Sequence, residues 1–290
     1  MFGFWSVSFG LFTISVLSVV MFGVDNFAII WLCLELVSLG LIPAFFVSSV
    51  AGVNFDGLFR YFIVSGVSSA LVIVGFMFTD LWLFSFIGLL IKLGVLPFPG
   101  WVYYVACNSN WLVVWELSTV LKCVVLLIPL VFGSLNSSFL IFVVPLVFVV
   151  LALFFWVGTY DWFSCWTHIM LASTMSLLVV VLSCSLQLGF CLFFVYCFWA
   201  SLVVWFLSYF DDMYRLSLGG WLMYMFLLVS HPLSLSLFYK LVSGYCISSC
   251  SFLVIVFWLF YSMSEQVYLI SWVVNAKGVP SSFSSFGKFL

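Results

Sequence analysis

The sequence predicts an all-α polytopic membrane domain of about ten or eleven transmembrane helices, and three observations predict it. Of its 290 residues, 67% are hydrophobic and 6% are charged, whereas a soluble domain carries about 25% charged and about 45–50% apolar residues. Apolar runs of about 18–25 residues follow one another along the chain, long enough at 1.5 Å per residue to cross a hydrocarbon layer about 30 Å thick. Runs such as "CVVLLIPLVFG" are continuous, which excludes the alternating strands of roughly ten residues that build a membrane β-barrel.

The charges punctuate these runs. Asp25, Asp56 with Arg60, Asp80, Asp161, Asp211 with Asp212 and Arg215, and Lys277 fall where apolar stretches stop, as do the polar patches Asn108–Asn110 and Asn136–Ser138. Between them the spans are expected at 3–22, 27–50, 58–78, 81–105, 111–133, 138–157, 168–186, 188–207, 219–247 and 250–274. The 219–247 segment is too long for one span and contains His231-Pro232, so it reads as two half-helices or a kinked pair. Residues 1–277 form one transmembrane domain, and 278–290, "GVPSSFSSFGKFL", a short polar tail at the interface or loose.

A net charge of -2 on so few ionic groups gives no reason to expect a nucleic-acid partner. The start, "MFGFWSVSFGLF", has neither a basic n-region nor a small-residue cleavage site. Either the first helix is its own insertion signal or the protein is made beside its membrane. Phe (37), Trp (14) and Cys (9) are abundant, and their codons are G- and U-rich, which points to strand-biased organellar coding. The cysteines form no C-x-x-C pair and have no His or acidic residue at ligand spacing, so no metal site and no structural disulfide is expected. Cys246 and Cys250, on one helix face, read as small buried residues.

Four charges interrupt spans instead of ending them: Glu35, Lys92, Lys122 and Lys240. An ionised group at the bilayer centre costs at least about 2.5–3.5 kcal/mol, so four cost on the order of 10 kcal/mol, comparable with a domain's net stability. Lys122 lies about 16 Å from either end of its span, too deep to snorkel. These groups must face a hydrated interior and have partners. Glu116 reads equally as an interfacial carboxylate or a pathway residue. His168, at the start of a helix in "WTHIMLASTMS", is expected at the interface, with a proton-relay role as the lesser reading. His231 is expected mainly to satisfy backbone groups freed at the Pro232 break.

Two of the lysines stand beside broken backbone. Pro97 and Pro99 remove N–H donors and Gly94 and Gly100 permit bends in "KLGVLPFPGW"; Pro232 does the same in "SHPLSLSLFYK". Non-helical backbone at membrane depth survives only where it is buried in protein or lines a wet cavity. Two discontinuous helices carrying ionisable groups mark an ion-translocating transporter.

On these residues the chain resembles chain 2 of NADH–ubiquinone oxidoreductase, a proton-pumping membrane subunit family of mitochondrial respiratory complex I. "KLGVLPFPGWVYYV" resembles the family's K-x-G-x-x-P-F-H-x-W-x-P-E-V motif, "LCLELVSLGLIPAFF" its helix with a Glu followed by a Pro, and "LSTVLKCVVLLIPL" its next lysine-bearing helix. "HIMLASTMS" is similar to "KIMAYSSI", and "SHPLSLSLFYKLV" to "PPLSGFLPKW". The matches run in order from about residue 31 to 243. The resemblance implies an antiporter-like fold of two inverted repeats, shortened at its N-terminus as in animals. It implies a central Glu35–Lys92 pair, Lys122 as the middle relay and Lys240 as the terminal lysine. It places NADH, FMN, iron–sulfur clusters and ubiquinone in other subunits, with none bound by this chain. The implied partners are the other complex I membrane subunits and lipids, in the inner mitochondrial membrane.

The sequence departs from the family where Pro99 replaces the motif's His, Tyr103-Tyr104 its Pro-Glu, Leu177 the His after the "AYSS" stretch, and Thr167-His168 a basic pair. No relay through the family's own histidines is therefore carried over. Two rival readings are a cation/proton antiporter subunit and a structural membrane subunit without a proton path.

Overall fold

The computed structural model describes residues 2–24, 26–47, 55–78, 81–132, 137–209 and 218–277. Asp25, Asp80, the 211–215 charges and the 278–290 tail lie outside the described residues. Among the described residues the chain is helical throughout, with no strand. Six helices are long and apolar enough to cross a membrane, and four shorter apolar ones accompany them. The chain is an all-helical, multi-pass membrane protein, as its composition predicts.

The helices are α1 (Phe2–Val20), α2 (Phe27–Gly40), α3 (Ile42–Phe45), α4 (Phe55–Met77), α5 (Trp82–Leu93), α6 (Gly100–Cys107), α7 (Trp111–Thr119) and α8 (Cys123–Phe132). They continue with α9 (Ser137–Val157), α10 (Trp162–Ser183), α11 (Leu186–Tyr209), α12 (Leu218–Leu227), α13 (Leu235–Ser248) and α14 (Phe252–Lys277). The centre is α10, whose side chains from Ser164 to Val181 are all buried. Around it pack α6, α8, α9, α11 and α13, while α14 lies against α9, α4 against α5, and α1 against α2. The α4–α5 contact is close because Gly75 presents no side chain: a Cβ there would meet the Ser85 backbone nitrogen at 2.4 Å. Small residues at helix crossings are the usual route to close packing in a membrane. The outer helices turn Phe9, Phe12, Phe59, Phe62, Trp205 and Phe260 outward, a surface suited to lipid or to apolar partners.

Several boundaries differ from the sequence expectation. The 27–50 span is divided at Leu41, because Pro43 cannot continue the α2 hydrogen-bond ladder and instead starts α3. The 111–133 span tightens into a 3₁₀ turn at Val120–Lys122. Just before it, Ser118 and Thr119 both turn their hydroxyls back onto the Trp115 carbonyl, at 3.0 and 2.7 Å. The helix expected to start at His168 starts six residues earlier, at Trp162, behind a capping box formed by Asp161 and Ser164. His168 is consequently a buried residue almost two turns inside α10, not an interfacial one. Cys250 lies past the end of α13, so it does not share a helix face with buried Cys246; its sulfur sits 3.1 Å from that of Cys184.

Both expected breaks occur. The first separates α5 from α6 over residues 94–99: Gly94 closes α5 in the left-handed conformation at φ 67°, its N–H on the Ile91 carbonyl. The second separates α12 from α13 over 228–234, with Ser234 capping α13 through the Leu237 N–H.

Candidate functional site

The three interrupting lysines all turn inward. Lys92 projects from the last turn of α5, where Gly94 ends the helix. Its Nζ donates to the Leu34 carbonyl at 3.0 Å and stands 3.8 Å from Glu35 Oε2. Glu35 Oε1 in turn accepts from the Ser69 hydroxyl at 3.1 Å. Glu35 is the least buried member, its side chain 32% exposed against 5% for Lys92, so this end of the group opens toward the flank of the molecule. Tyr61 donates to the Ser38 carbonyl at 3.1 Å.

Lys122 occupies the 3₁₀ turn, fully enclosed. Its Nζ donates to the Met170 carbonyl at 3.0 Å and to the Ser173 hydroxyl, and lies 3.5 Å from the centre of the Tyr196 ring. Neutral oxygens and an aromatic face are its partners. The partners expected for a buried charge are here uncharged: among the described residues no acidic group comes within ion-pair range of Lys122. Glu116 is buried, with Oε2 lacking a hydrogen-bond partner. This overturns the interfacial reading and leaves a carboxylate and an amine outside ion pairs on one interrupted helix.

Lys240, on α13, makes the closest ion pair. Its Nζ lies 3.1 Å from Oε1 of Glu265 and 3.5 Å from the Ser262 carbonyl, both on α14. Glu265 is as deeply buried as the lysine, and no reading of the sequence singled it out. Its signal was available: it is the one acidic residue inside the last span, in "YSMSEQVYL", at the depth of Lys240 on the neighbouring helix.

The residue after it closes the second helix break. Gln266 Oε1 accepts from the Ser230 N–H at 2.8 Å, and its Nε2 donates to the Leu228 carbonyl at 3.4 Å and to Glu265 Oε1 at 3.2 Å. Trp199 and Ser236 satisfy the Leu227 and Leu228 carbonyls at 2.8 and 3.1 Å. Backbone freed at membrane depth is thereby paired with side chains, as it must be. His231 works at the same break, its Nδ1 accepting from the Leu233 N–H at 3.2 Å, away from the lysines.

Small cavities connect these groups. One of about 20 Å³ is lined by both Lys92 and Lys122, with Trp101, Leu121, Met170 and Thr174 among its walls. A second, of about 10 Å³, lies on the other side of Lys92 beside Tyr61 and Ser65. A third, of about 20 Å³, is lined by Lys240, Glu265 and Tyr261 and reaches Ser173, the hydroxyl that holds Lys122. A cavity needs about 10–15 Å³ to hold one water and two or more polar partners to keep it. The two larger spaces meet that size, and each has amine, hydroxyl or carboxylate groups in its wall. The result is one line of polar groups through the bundle: Glu35, Lys92, Lys122, Ser173, Lys240, Glu265. A much larger space, about 780 Å³, is a groove among Trp111, Trp115 and Trp205 that meets none of these lysines.

The nine cysteines are unbridged, and among the described residues no three His, Cys, Asp or Glu side chains gather as a metal site.

The arrangement of helices is similar to that of a solved chain in respiratory complex I from Thermus thermophilus with bound aureothin. The likeness has a TM-score of 0.74 at 15% sequence identity and covers 96% of this chain and 72% of that one. No protein-family model and no curated protein matches the sequence. The chain thus has the fold of a complex I chain along nearly its whole length.

Proposed function

We propose that this chain is a membrane subunit of respiratory complex I, of the chain 2 type, and that it conducts protons across the membrane along Glu35, Lys92, Lys122 and Lys240, joined by Glu265. The single observation that carries the reading is the line of inward-facing amines bridged by water-sized polar cavities. The fold likeness and the ordered sequence motifs support the choice of complex. A structural subunit has no use for three ammonium groups turned away from lipid headgroups, each costing about 2.5–3.5 kcal/mol at membrane depth.

A lysine suits the work because burial disfavours its charged form and a nearby carboxylate favours it. Changing the distance to that carboxylate changes whether the amine holds or releases its proton. NADH oxidation and quinone reduction occur in other subunits, and the drive reaches this chain as a change in such distances. The membrane is the inner mitochondrial one, and the partners pack against the apolar flanks and the half-open Glu35.

The test is NADH-driven acidification by the assembled complex in vesicles. Lys122→Met is expected to lower the number of protons moved per NADH oxidised. An unchanged ratio would overturn the reading, and proton–cation exchange without NADH would favour a free-standing antiporter.

A further inference from the structure

Two thiols that the lysine line does not use meet at one end of the bundle. Cys184 follows the last residue of α10, at the turn into α11, and Cys250 lies in the turn between α13 and α14. Their sulfurs stand 3.1 Å apart. The two residues are 66 positions apart in the chain, so only the fold brings them together.

Their surroundings differ from those of the enclosed thiols. Cys33, Cys123, Cys165 and Cys246 are buried, whereas Cys184 and Cys250 are both half-buried. Ser185, Ser248 and Ser249 beside them are exposed. Irregular backbone does not occur against lipid tails, so these two serine-rimmed turns meet water. The backbone on each side is anchored, the Cys184 N–H donating to the Val180 carbonyl and the Cys250 N–H to the Ile247 carbonyl, both at 2.9 Å. The sulfurs are held more loosely. Cys184 Sγ is 3.2 Å from the Ser249 hydroxyl, and Cys250 Sγ donates to the Cys246 carbonyl at 3.5 Å. Sulfur is a weak donor and a weak acceptor, so no strong bond has to break for the two to approach. A disulfide holds its sulfurs at about 2.03–2.05 Å, which leaves about 1 Å to close.

From this contact we infer that Cys184 and Cys250 form a dithiol site that a peroxide oxidises to a reversible disulfide, fastening the α10–α11 turn to the α13–α14 turn. In the first step one thiolate attacks a peroxide oxygen. An S–O bond forms, the O–O bond breaks, and the thiol proton leaves with the departing oxygen as water, giving a sulfenic acid. The neighbouring sulfur then displaces the hydroxyl. The S–S bond forms, the S–O bond breaks, and a second water leaves. Two thiols and one hydrogen peroxide thus give one disulfide and two waters, sulfur being oxidised and peroxide oxygen reduced. A thiol reductant restores both thiols by exchange. Redox-responsive cysteines are solvent-accessible and poised next to a resolving thiol, which is what the two turns supply. The bond ties α10, whose Met170 carbonyl and Ser173 hold Lys122, to the helices that carry Lys240 and Glu265. The site and its test stand apart from the proposed proton conduction.

The test uses the assembled complex in its membrane, treated with dilute hydrogen peroxide, alkylated and digested without reduction. A peptide pair linked through Cys184 and Cys250 is expected, lighter by two hydrogens than the sum of its parts. Alkylation of both cysteines is expected to fall several-fold and together, and to return after dithiothreitol. Phenylarsine oxide, which bridges two neighbouring thiols, is expected to protect both from alkylation in the untreated complex. In Cys250→Ser that protection of Cys184 is expected to be lost. Undiminished alkylation of both cysteines after peroxide, or a link from either to another cysteine, overturns the inference. Loss of alkylation at one without the other also overturns it. So does a failure of both to alkylate before any treatment, because the pair would then be covered in the complex. Should Cys250→Ser not assemble, the linked peptide in the wild-type complex decides alone.

Discussion

Glu265 and Lys240 settle their charges on each other, and this pair is where a single substitution has the clearest consequence. Removing one partner of a buried ion pair typically costs about 3–5 kcal/mol because the other charge is left uncompensated. Lys240→Met is therefore expected to lower the thermal stability of the assembled complex more than the double variant Lys240→Met/Glu265→Gln does, as read by its melting temperature. A double variant no more stable than the single one would mean that the pair seen at 3.1 Å is not formed in the membrane. Lys122 differs in kind. Its partners are a carbonyl, a hydroxyl and a ring, so removing a carboxylate elsewhere leaves its contacts intact. Glu265 was missed because it stands alone near the middle of the 250–274 span, with no basic residue in that span to pair with it. Only the packing of α13 against α14 shows that it sits opposite a lysine. His168 was misplaced for a related reason: "DWFS" is a capping box hidden in an aromatic run, and overlooking it put the helix start six residues late.

At the scale of the helix, the buried amines lie at or beside the interruptions. The two breaks announced by Gly94, Pro97 and Pro99 and by Pro232 are visible in the sequence because proline and glycine act through the local backbone. The 3₁₀ turn that presents Lys122 was not visible. Ser118 and Thr119 just before it share the Trp115 carbonyl, but Ser173 and Thr174 share the Met170 carbonyl in the same way within unbroken α10, so the sequence carries no local mark of the turn. The breaks make separate demands. Gly94 combines a left-handed φ of 67° with a Cβ position only 2.1 Å from Val102 Cγ2. Gly94→Ala adds a backbone cost of roughly 1–2 kcal/mol to a steric clash. The complex is expected to assemble in reduced amount, scored by a native gel; wild-type yield would mean that the α5–α6 corner tolerates a different path. At the other break, Gln266→Leu leaves the Ser230 N–H and one bond to Leu228 unmet, at about 1–3 kcal/mol. Faster amide hydrogen exchange over 228–234 is expected, and unchanged protection there would show that Trp199 and Ser236 suffice.

For the molecule as a whole, membrane class, helix count and the inward course of the lysines follow from composition and spacing, since each expresses the cost of a polar group in hydrocarbon. What spacing could not express is convergence. Buried α10 carries the Met170 carbonyl and Ser173 to one axis, and the cavities beside Lys122 and Lys240 are both walled by it. A helix whose polar residues, Ser164, Thr167, His168, Ser173, Thr174 and Ser176, are spread around its faces gives no hint of which side will meet the amines. The central claim is that water fills the gaps between the buried amines. A density map of the assembled complex, sharp enough to show ordered water, tests it directly. Water bonded to Lys92 and Lys122 in their shared cavity, and to Lys240 or Glu265 in theirs, is the result expected. Empty, dry spaces at both sites, with the amines bonded only to protein, would contradict it.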